Sequence, residues 1–417
     1  MVSVYPFKGL RPTKESYPVL PSVPYDVISA EEAAAEIREN DKSFLRVIRT
    51  DAELLDIDPH DDRIYARAAE MFEKFKADGM FAADDSDSYY VYKIIFQGAP
   101  YVGLISCVSV DEYKKNIIKK HELTRYDKEE DRTRHIDAVS AHTGQVFLLY
   151  KGGGDIHAML CKIAEGAPNG EFTAKNGTVH QIFCISEPAA VEKITKAFAA
   201  IPNLYIADGH HRAKSSANVC DRRASQNRLT PDAEKFMAVL FAYDSVKIYG
   251  YHRLVRDLAG LNADQFLADL ALRFNITEIK KVDIKKNAVP PKETAPGKHV
   301  MHLYLESKWY ELTRDVDPAA DAIERLDVSV LQNVVLDDML AIFDPRGDPR
   351  IAFVGGVVPL SDITKEVDSG EFAAAFIMQP VTAQQVLDVA DNELIMPPKS
   401  TWFEPKLLSG MVIHEIK

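Results

Sequence analysis

The sequence predicts an α+β protein, because helix signals and hairpin signals are interspersed along its 417 residues. The segment Ser-Ala-Glu-Glu at residues 29–32 is a capping box that opens a helix to about residue 39. β-Rich runs at Tyr89–Phe96 and Tyr101–Val110 are joined by Gln-Gly-Ala-Pro, which is typical of a hairpin. The apolar strand Leu204–Ala207 ends in Asp-Gly, and a helix is predicted from about His210.

Two more elements near the N-terminus follow from the spacing of apolar residues. A helix is predicted over Asp62–Asp78, whose apolar positions keep helical spacing, with Gly79 as its C-cap. Phe44–Ile48 reads as an apolar strand that carries Arg46 and is followed by Arg49. Arginines at strand ends are usually paired with acids, and a ligand role for these two is the alternative.

The remaining elements suggest three regions, at residues 1–98, 99–256 and 257–417, each with its own mixture of helices and strands. Further strands are predicted at 145–150, 180–185, 236–243, 246–251, 299–305 and 309–312, with a final strand at the C-terminus. Further helices are predicted at 155–165, 189–200, from 262, at 319–325 and at 328–341, with an exposed proline-rich loop at 287–297.

Bulk composition excludes several classes of protein. The net charge of −13 argues against a nucleic-acid binder, which needs a basic face to displace counterions from phosphates. The sequence contains no run of about 18 apolar residues, the length that a membrane span needs. Its N-terminus also lacks the pattern of a secretory signal. The four cysteines form no Cys-x-x-Cys pair, which is typical of a reduced protein. We therefore expect a cytoplasmic protein.

Asp-Gly-His-His-Arg at residues 208–212 is the sharpest chemical feature. A helix N-terminus carries unpaired N–H groups and the positive end of the helix dipole, so it favours a phosphate. Gly209 permits a tight turn, Arg212 can clasp phosphate oxygens, and Asp208 can bind Mg²⁺ or orient a histidine. Two alternatives stay open, an ordinary helix cap and a zinc site, although adjacent histidines point in different directions from a helix.

Lys-Lys-His-Glu at residues 119–122 is the second feature. The carboxylate of Glu122 could act as a general base for a hydroxyl nucleophile, and its basic neighbours would keep it ionised. A solvated charged face is the alternative interpretation.

Three segments resemble, in order, the free serine kinases of the ParB/sulfiredoxin-like superfamily. They are Lys-His-Glu at 120–122, Asp-Gly-His-His-Arg at 208–212 and Asp-Ser-Val-Lys-Ile-Tyr at 244–249. The resemblance implies a ParB/sulfiredoxin-like mixed core with α/β elaborations at both ends. It also implies that Glu122 is the catalytic base acting on the acceptor hydroxyl.

The same resemblance assigns the other site residues. Asp208 and His210 would join Glu122 as catalytic residues, with Asp208 as the Mg²⁺ ligand. Gly209, His210, His211 and Arg212 would hold the nucleotide phosphates. Tyr249 and His252 are candidates for the wall of the substrate site.

The chain as a whole is similar to the DUF1015 family. The segments that carry this similarity are Pro-Tyr-Asp-Val-Ile at 24–28, Ser-Phe-Leu-Arg-Val at 43–47, His-Glu-Leu-Thr at 121–124, residues 208–212, and Lys-Ser-Thr-Trp-Phe-Glu-Pro-Lys at 399–406.

Together these features predict a kinase that transfers a phosphoryl group from ATP or ADP to the hydroxyl of free L-serine or a similar small molecule, with Mg²⁺. The alternative is a nucleotide-binding regulatory switch or NTPase of the ParB-like kind, without a small-molecule acceptor. A sulfiredoxin-like reductase would need a cysteine where His210 or His211 stands. No oligomeric state is predicted.

Two charged segments have weaker claims to a site. The residues at 131–135 could reach the nucleotide, and a solvated charged helix is the alternative; they are Asp131, Arg132, Arg134 and His135. Lys-Ser-Thr at 399–401 could cover the active site, and a packed tail is the alternative.

Overall fold

A computed structural model describes residues 1–280, 282 and 297–417, and the predicted proline-rich loop lies outside the described residues apart from Gly297. The chain separates into two compact units. Unit 1 comprises Met1–Lys120, Thr124–Val246 and Pro405–Lys417, and unit 2 comprises His121–Leu123 and Lys247–Glu404. None of the helices in the described part of the chain combines the length and the apolar character that crossing a bilayer requires.

The helices and strands have the following bounds. Unit 1 contains the helices α1 Ala30–Glu39, α2 Leu45–Ile48, α3 Asp62–Ala77, α4 Val110–Lys114, α5 Tyr126–Val139, α6 Gly154–Ile163, α7 Pro188–Phe198 and α8 His210–Ser225, with a 3-10 turn at Thr50–Glu53. Its strands are β1 Val4–Tyr5, β2 Leu10–Pro12, β3 Phe81–Ala83, β4 Tyr89–Phe96, β5 Ala99–Ser109, β6 Ile118–Lys119, β7 Ala141–His142, β8 Val146–Tyr150, β9 Gly170–Thr173, β10 Val179–Ile185, β11 Leu204–Asp208 and β12 Lys235–Ala242.

Unit 2 follows in the same order. Its strands are β13 Lys247–Tyr249, β14 Tyr251–Val255, β15 Asn275–Ile279, β16 Lys298–Leu305, β17 Lys308–Asp315, β18 Ile351–Gly355, β19 Ala374–Met378 and β20 Trp402–Glu404. Its helices are α9 Ala263–Ala271, α10 Asp327–Val330, α11 Leu360–Asp368 and α12 Ala383–Asp391, with a π-helix at Leu331–Asp337. A last strand, β21 His414–Glu415, belongs to unit 1.

The main sheet of unit 1 is mixed. Its strand order is β6-β11-β8-β12-β5-β4-β10-β9, and β1 pairs with β5. The pairs β11–β6 and β12–β8 are parallel, whereas β11–β8 and β12–β5 are antiparallel. The core on this sheet includes Leu104, Leu148, Phe198, Leu204 and Leu240, all fully buried. This arrangement brings the carboxyl end of β11, and with it Asp208, to the start of α8.

Local chemistry explains the elements that were predicted well. Ser29 caps α1 by accepting the N–H of Glu32, whose side chain accepts the N–H of Ser29 in return. The β4–β5 hairpin turns through Gln97 and Gly98, both with positive φ, which is the geometry that matches strand twist. The strand therefore resumes at Ala99, before the position predicted from the sequence.

The sheet of unit 2 is antiparallel throughout, with the strand order β15-β17-β16-β19-β14-β18. Apolar residues of α11 and the sheet form its core, among them Leu254, Ile363 and Ile377. A separate pair, β13–β20, joins the two ends of the unit.

Three predicted elements differ from the structure. Within Phe44–Ile48, residues Leu45–Ile48 form the short helix α2 rather than a strand, because its apolar side chains are buried in a turn that contacts α3. The predicted helix at 319–325 is a run of turns, in which Asp321 caps locally through its side chain. The predicted strand at 246–251 is split between β13 and β14, which belong to different sheets.

The α+β class is confirmed, as is the mixed character of the sheet that carries Asp208. The predicted boundary at residue 98 lies inside the β4–β5 hairpin. The division into three regions stays a prediction about which parts fold independently.

Candidate functional site

The turn from β11 into α8 is built on Gly209. Its φ is +92° and its ψ is 29°, a left-handed conformation that costs little only for glycine. Its N–H donates to the Oδ1 atom of Asp208 at 2.8 Å. As the N-cap of α8, Gly209 has no side chain with which to cap the helix. The N–H groups of the first turn, from His210 onward, therefore have no intrahelical acceptor.

Asp208 lies among positive charges. Its Oδ2 atom is 3.5 Å from the Nζ atom of Lys406, and Arg212 is one turn further along α8. Burial acts to raise the pKa of the Asp208 carboxyl. The charges of Lys406 and Arg212 and the Gly209 hydrogen bond outweigh burial and hold this pKa well below its usual range. Asp208 is therefore an ionised carboxylate at neutral pH, and its side chain is still 38% exposed.

Contacts with two other segments of unit 1 fix the guanidinium of Arg212. Its Nη1 atom donates to the carbonyl oxygen of Gln145, and its Nη2 atom is 3.9 Å from the Oδ2 atom of Asp26. Burial acts to lower the pKa of Arg212, but the charges of Asp26 and Asp208 raise it overall. The guanidinium is only 13% exposed, so its position is fixed by the fold rather than by solvent.

Arg212 is one of the residues that line a small cavity of about 30 Å³. Tyr25, Arg132, His142 and Ser409 are among its lining residues. A volume of this size holds about one or two water molecules. This cavity is therefore too small to hold a ligand as large as a nucleotide.

The two adjacent histidines differ in their surroundings. The Nε2 atom of His211 accepts the backbone N–H of Arg125, the N-cap of α5, at 3.0 Å. An accepting Nε2 carries no proton, so this contact favours neutral His211 with its proton on Nδ1. His210 is 5% exposed and belongs to the buried side of α8. His211 therefore ties the start of α8 to the start of α5.

Glu122 belongs to unit 2, as part of the three-residue segment His121–Leu123. The carbonyl of His121 accepts the N–H of Met396 at 2.8 Å, which fixes this segment within the unit. Glu122 lines an open cavity of about 320 Å³. The other walls come from the π-helix and from residues 343–346 and 395–398. Ligand pockets in proteins typically span about 300–1,000 Å³, so this cavity has the size of a small-molecule site.

Tyr249 and His252, also in unit 2, lie in strands. Tyr249 ends β13 and pairs with Trp402 of β20, with the Nζ atom of Lys247 4.6 Å from its ring centre. His252 is buried in β14, and its Nδ1 atom accepts the N–H of Met378 at 3.2 Å. Burial and the nearby charge of Arg253 lower the pKa of His252 to about 4. Neither Tyr249 nor His252 is among the described residues that line the Glu122 cavity, and their substrate role stays a prediction.

The N-terminal arginines are engaged in ion pairs. Arg46 contacts Glu53 at 2.6 Å, and Arg49 contacts Asp51 at 2.7 Å as well as the carbonyl of Tyr25. These contacts match the interpretation of paired arginines.

The charged segment of α5 is only partly solvated. Asp131 accepts from the hydroxyl of Tyr65, and Arg132 stacks 4.2 Å from the ring centre of Tyr25. Arg134 pairs with Asp62. The Nε2 atom of His135 is 2.9 Å from the carbonyl of Val47, and burial lowers the His135 pKa to about 4. These side chains bind α5 to the N-terminal part of unit 1.

The segment at 399–401 is packed within unit 2. Ser400 is buried and donates to the carbonyl of Pro397 at 2.5 Å, while the Nζ atom of Lys399 lies 5.6 Å from the ring centre of Tyr251.

Two residues beside Asp208 and Arg212 were not predicted as site residues. Lys406 and Asp26 lie in segments that carry the similarity to DUF1015, at 399–406 and 24–28. That similarity was the only signal in the sequence that could have identified them, because contacts so distant along the chain leave no local pattern.

The comparison with solved structures finds similar chains at low identity. One is a free serine kinase variant in complex with AMP, at 15% identity over 73% of this chain and 91% of that chain, with a TM-score of 0.37. Another is a conserved hypothetical protein from Pyrococcus furiosus, at 14% identity over 73% and 94%, with a TM-score of 0.35. A third is SbnI with a C-terminal truncation from Staphylococcus aureus, at 12% identity over 72% and 82%, with a TM-score of 0.37. Sequence identities and TM-scores as low as these do not allow the activity of any of these proteins to be assigned to this chain.

The comparison with curated proteins finds no match. The family described as "Protein of unknown function (DUF1015)" matches residues 4–329, which is most of the chain. The predicted similarity is therefore confirmed, and this chain belongs to the DUF1015 family.

Proposed function

We propose that this protein is a kinase that transfers a phosphoryl group from ATP or ADP to the hydroxyl of free L-serine or a similar small molecule. The observation that carries the proposal is the start of α8, where a left-handed glycine, an ionised carboxylate and a fixed guanidinium meet at a helix N-terminus. The sequence similarity of residues 120–122, 208–212 and 244–249 to free serine kinases supports it.

The nucleotide phosphates bind at the first turn of α8 in this proposal. The turn offers backbone N–H groups that point along the helix axis and the positive end of the helix dipole. Gly209 presents no Cβ, so a phosphate can approach the backbone closely. Arg212 and Lys406 add positive charge on either side of Asp208. Catalysis of phosphoryl transfer is mostly positioning and charge stabilisation, which such a turn supplies.

Asp208 is the residue that would hold Mg²⁺. It fits the ion because its pKa is held low and it remains partly exposed, and Mg²⁺ commonly binds one or two carboxylates together with substrate phosphates. When bound, the ion would neutralise charge on the phosphates. His210 is assigned a supporting contact to the transferred group, and His211, through its Nδ1 proton, a contact to the phosphates.

Glu122 is the general base in this proposal. It removes the proton from the acceptor hydroxyl as the oxygen attacks the terminal phosphorus. Its place on the wall of a 320 Å³ cavity suits a group that must meet a small molecule.

The test is donor consumption by the purified protein with Mg²⁺, with ATP and ADP each offered free hydroxy amino acids, sugars and polyols. We expect turnover that depends on an acceptor and falls about 10²- to 10⁴-fold in Glu122→Gln, the usual contribution of a general base. Glu278→Gln, an exposed glutamate of β15 in the same unit, should keep full activity. Nucleotide binding without turnover on any acceptor would refute the kinase and favour the nucleotide-gated switch.

A further inference from the structure

The cavity of unit 2 has a wall of unusual backbone. Residues Leu331–Asp337 form a π-helix, a rare conformation that is frequent at functional sites. Gln332, Asn333 and Asp337 of this helix line the cavity. The π-helix thus supplies polar side chains to the wall of the cavity.

Another part of the wall, residues 395–398, is fixed by hydrogen bonds within unit 2. The Nη2 atom of Arg253 donates to the carbonyl of Pro398 at 3.1 Å, and Ser400 donates to the carbonyl of Pro397 at 2.5 Å. Arg253 is itself fully buried, so this anchor is rigid. The wall carries the apolar side chains of Ile395 and Met396. The cavity lining therefore includes a firmly anchored apolar part as well as a polar part.

The charges on the cavity wall do not balance. Asp344 and Arg346 form a pair at 2.8 Å and neutralise each other. Asp337 accepts the Nε2 atom of Gln332 at its Oδ1 atom, at 2.6 Å, and forms no ion pair with any described residue. At Asp337 the wall thus carries a carboxylate that lacks a cation among the described residues.

Ser329 supplies an independent indication of a ligand. It lines the cavity, is 2% exposed, and its Oγ atom finds no hydrogen-bond partner among the described residues. A buried hydroxyl without a hydrogen-bond partner is destabilising, because its desolvation is not compensated. A polar group of a bound molecule would satisfy this hydroxyl.

We infer that this cavity is the acceptor site and that the acceptor is a small hydroxy compound with an ammonium group. This inference rests on the proposed kinase function for the role of Glu122. Asp337 binds the ammonium group, Ser329 hydrogen-bonds a polar group of the same molecule, and Glu122 faces the hydroxyl that is phosphorylated. A compound that carries only a carboxylate and a hydroxyl is disfavoured, because Asp337 repels it.

The test measures the binding of small-molecule probes to the full chain without nucleotide, with ligand-observed NMR as the readout. Four probes separate the chemistry: ethanolamine, L-serine, glycolate and glycerol. We expect ethanolamine and L-serine to bind at least about tenfold more tightly than glycolate and glycerol, as one charge-assisted hydrogen bond would give. Asp337→Asn should remove that preference. Asp338→Asn, the exposed neighbour outside the cavity, should leave it unchanged.

Two further measurements keep the inference separate from the kinase proposal. Ser329→Ala should weaken binding of ethanolamine and L-serine, which decides the matter if Asp337→Asn fails to fold. Selective binding without any phosphoryl transfer would leave the site in place and refute the kinase. Two results would overturn the inference. One is phosphoryl transfer in which Asp337→Asn and Ser329→Ala both leave the KM for ammonium-bearing acceptors unchanged. The other is equal binding of all four probes.

Discussion

The start of α8 and the strands β13 and β14 both carry residues with the chemistry of an active site, but the fold treats them in opposite ways. At α8, Asp208 and Arg212 are kept charged by each other and by Lys406 and Asp26. In β14, His252 is buried, accepts a backbone N–H and is kept neutral. The charged neighbours at α8 thus stabilise the ionised forms of its side chains, whereas burial in β14 favours the neutral form of His252.

The largest expected effect on stability concerns His252. Its pKa is about 4 rather than the usual 6.5, so the fold favours the neutral ring. Its contribution to stability is complete above pH 6.5 and is lost as the pH falls from 6.5 towards 4, by up to about 3 kcal/mol. His252→Gln cannot titrate, so its free energy of unfolding should fall less over this range. Denaturant unfolding at several pH values measures the difference, and parallel curves would contradict a buried neutral His252.

Arg212→Lys tests the charged side of the comparison. Lysine keeps the charge but loses the planar fork that contacts Gln145 and that would bind phosphate oxygens in the proposed site, so nucleotide affinity should drop about 10- to 100-fold. Arg222→Lys, in the same helix and paired with Glu130, should leave affinity unchanged. Isothermal titration calorimetry with ATP measures both, and equal affinities would place the phosphates elsewhere.

Asp208→Asn should change nucleotide affinity in opposite directions with and without Mg²⁺. Without the ion, removal of a negative charge beside the phosphates should tighten binding. With the ion, loss of its carboxylate ligand should weaken binding, each by about tenfold. Titrations in EDTA and in Mg²⁺ measure the two effects. A change of the same sign in both would show that Asp208 does not act through the ion.

The smallest effect is expected for Gly209→Ala. A Cβ there would meet Val146 and Arg212 only at ordinary contact distances, so the cost is the left-handed backbone, about 1–2 kcal/mol. Gly177→Ala, with a φ of +82° and open space around it, should cost the same in thermal unfolding. Only Gly209→Ala should also weaken nucleotide binding. Loss of binding in both variants would indicate a general effect on folding.

Elements whose signals are local were predicted from the sequence. The capping box of α1, the β4–β5 hairpin and the Gly209 turn each depend on a few adjacent residues, and all three occur. The segment Phe44–Ile48 could not be assigned in this way, because a run of four apolar residues around one arginine fits a buried strand and a buried helical turn equally well. The strands β18 and β19 were not predicted, since their pairing in the antiparallel sheet of unit 2 is set by distant partners.

The site shows the same limit. Residues 208–212 are contiguous, so their common position at a helix start was predictable. Lys406 and Asp26 reach Asp208 and Arg212 only through the fold, and the cavity with Asp337 depends on a π-helix that no spacing rule indicates. Tertiary contacts therefore had to supply the electrostatics of the site.

The most direct test of the central claim is ³¹P NMR of the wild-type protein with ATP, Mg²⁺ and a mixture of ethanolamine and L-serine. The account predicts a new phosphomonoester resonance that grows in step with ADP and is absent without acceptor. Release of inorganic phosphate alone, at a rate independent of acceptor, would contradict a kinase and leave an NTPase.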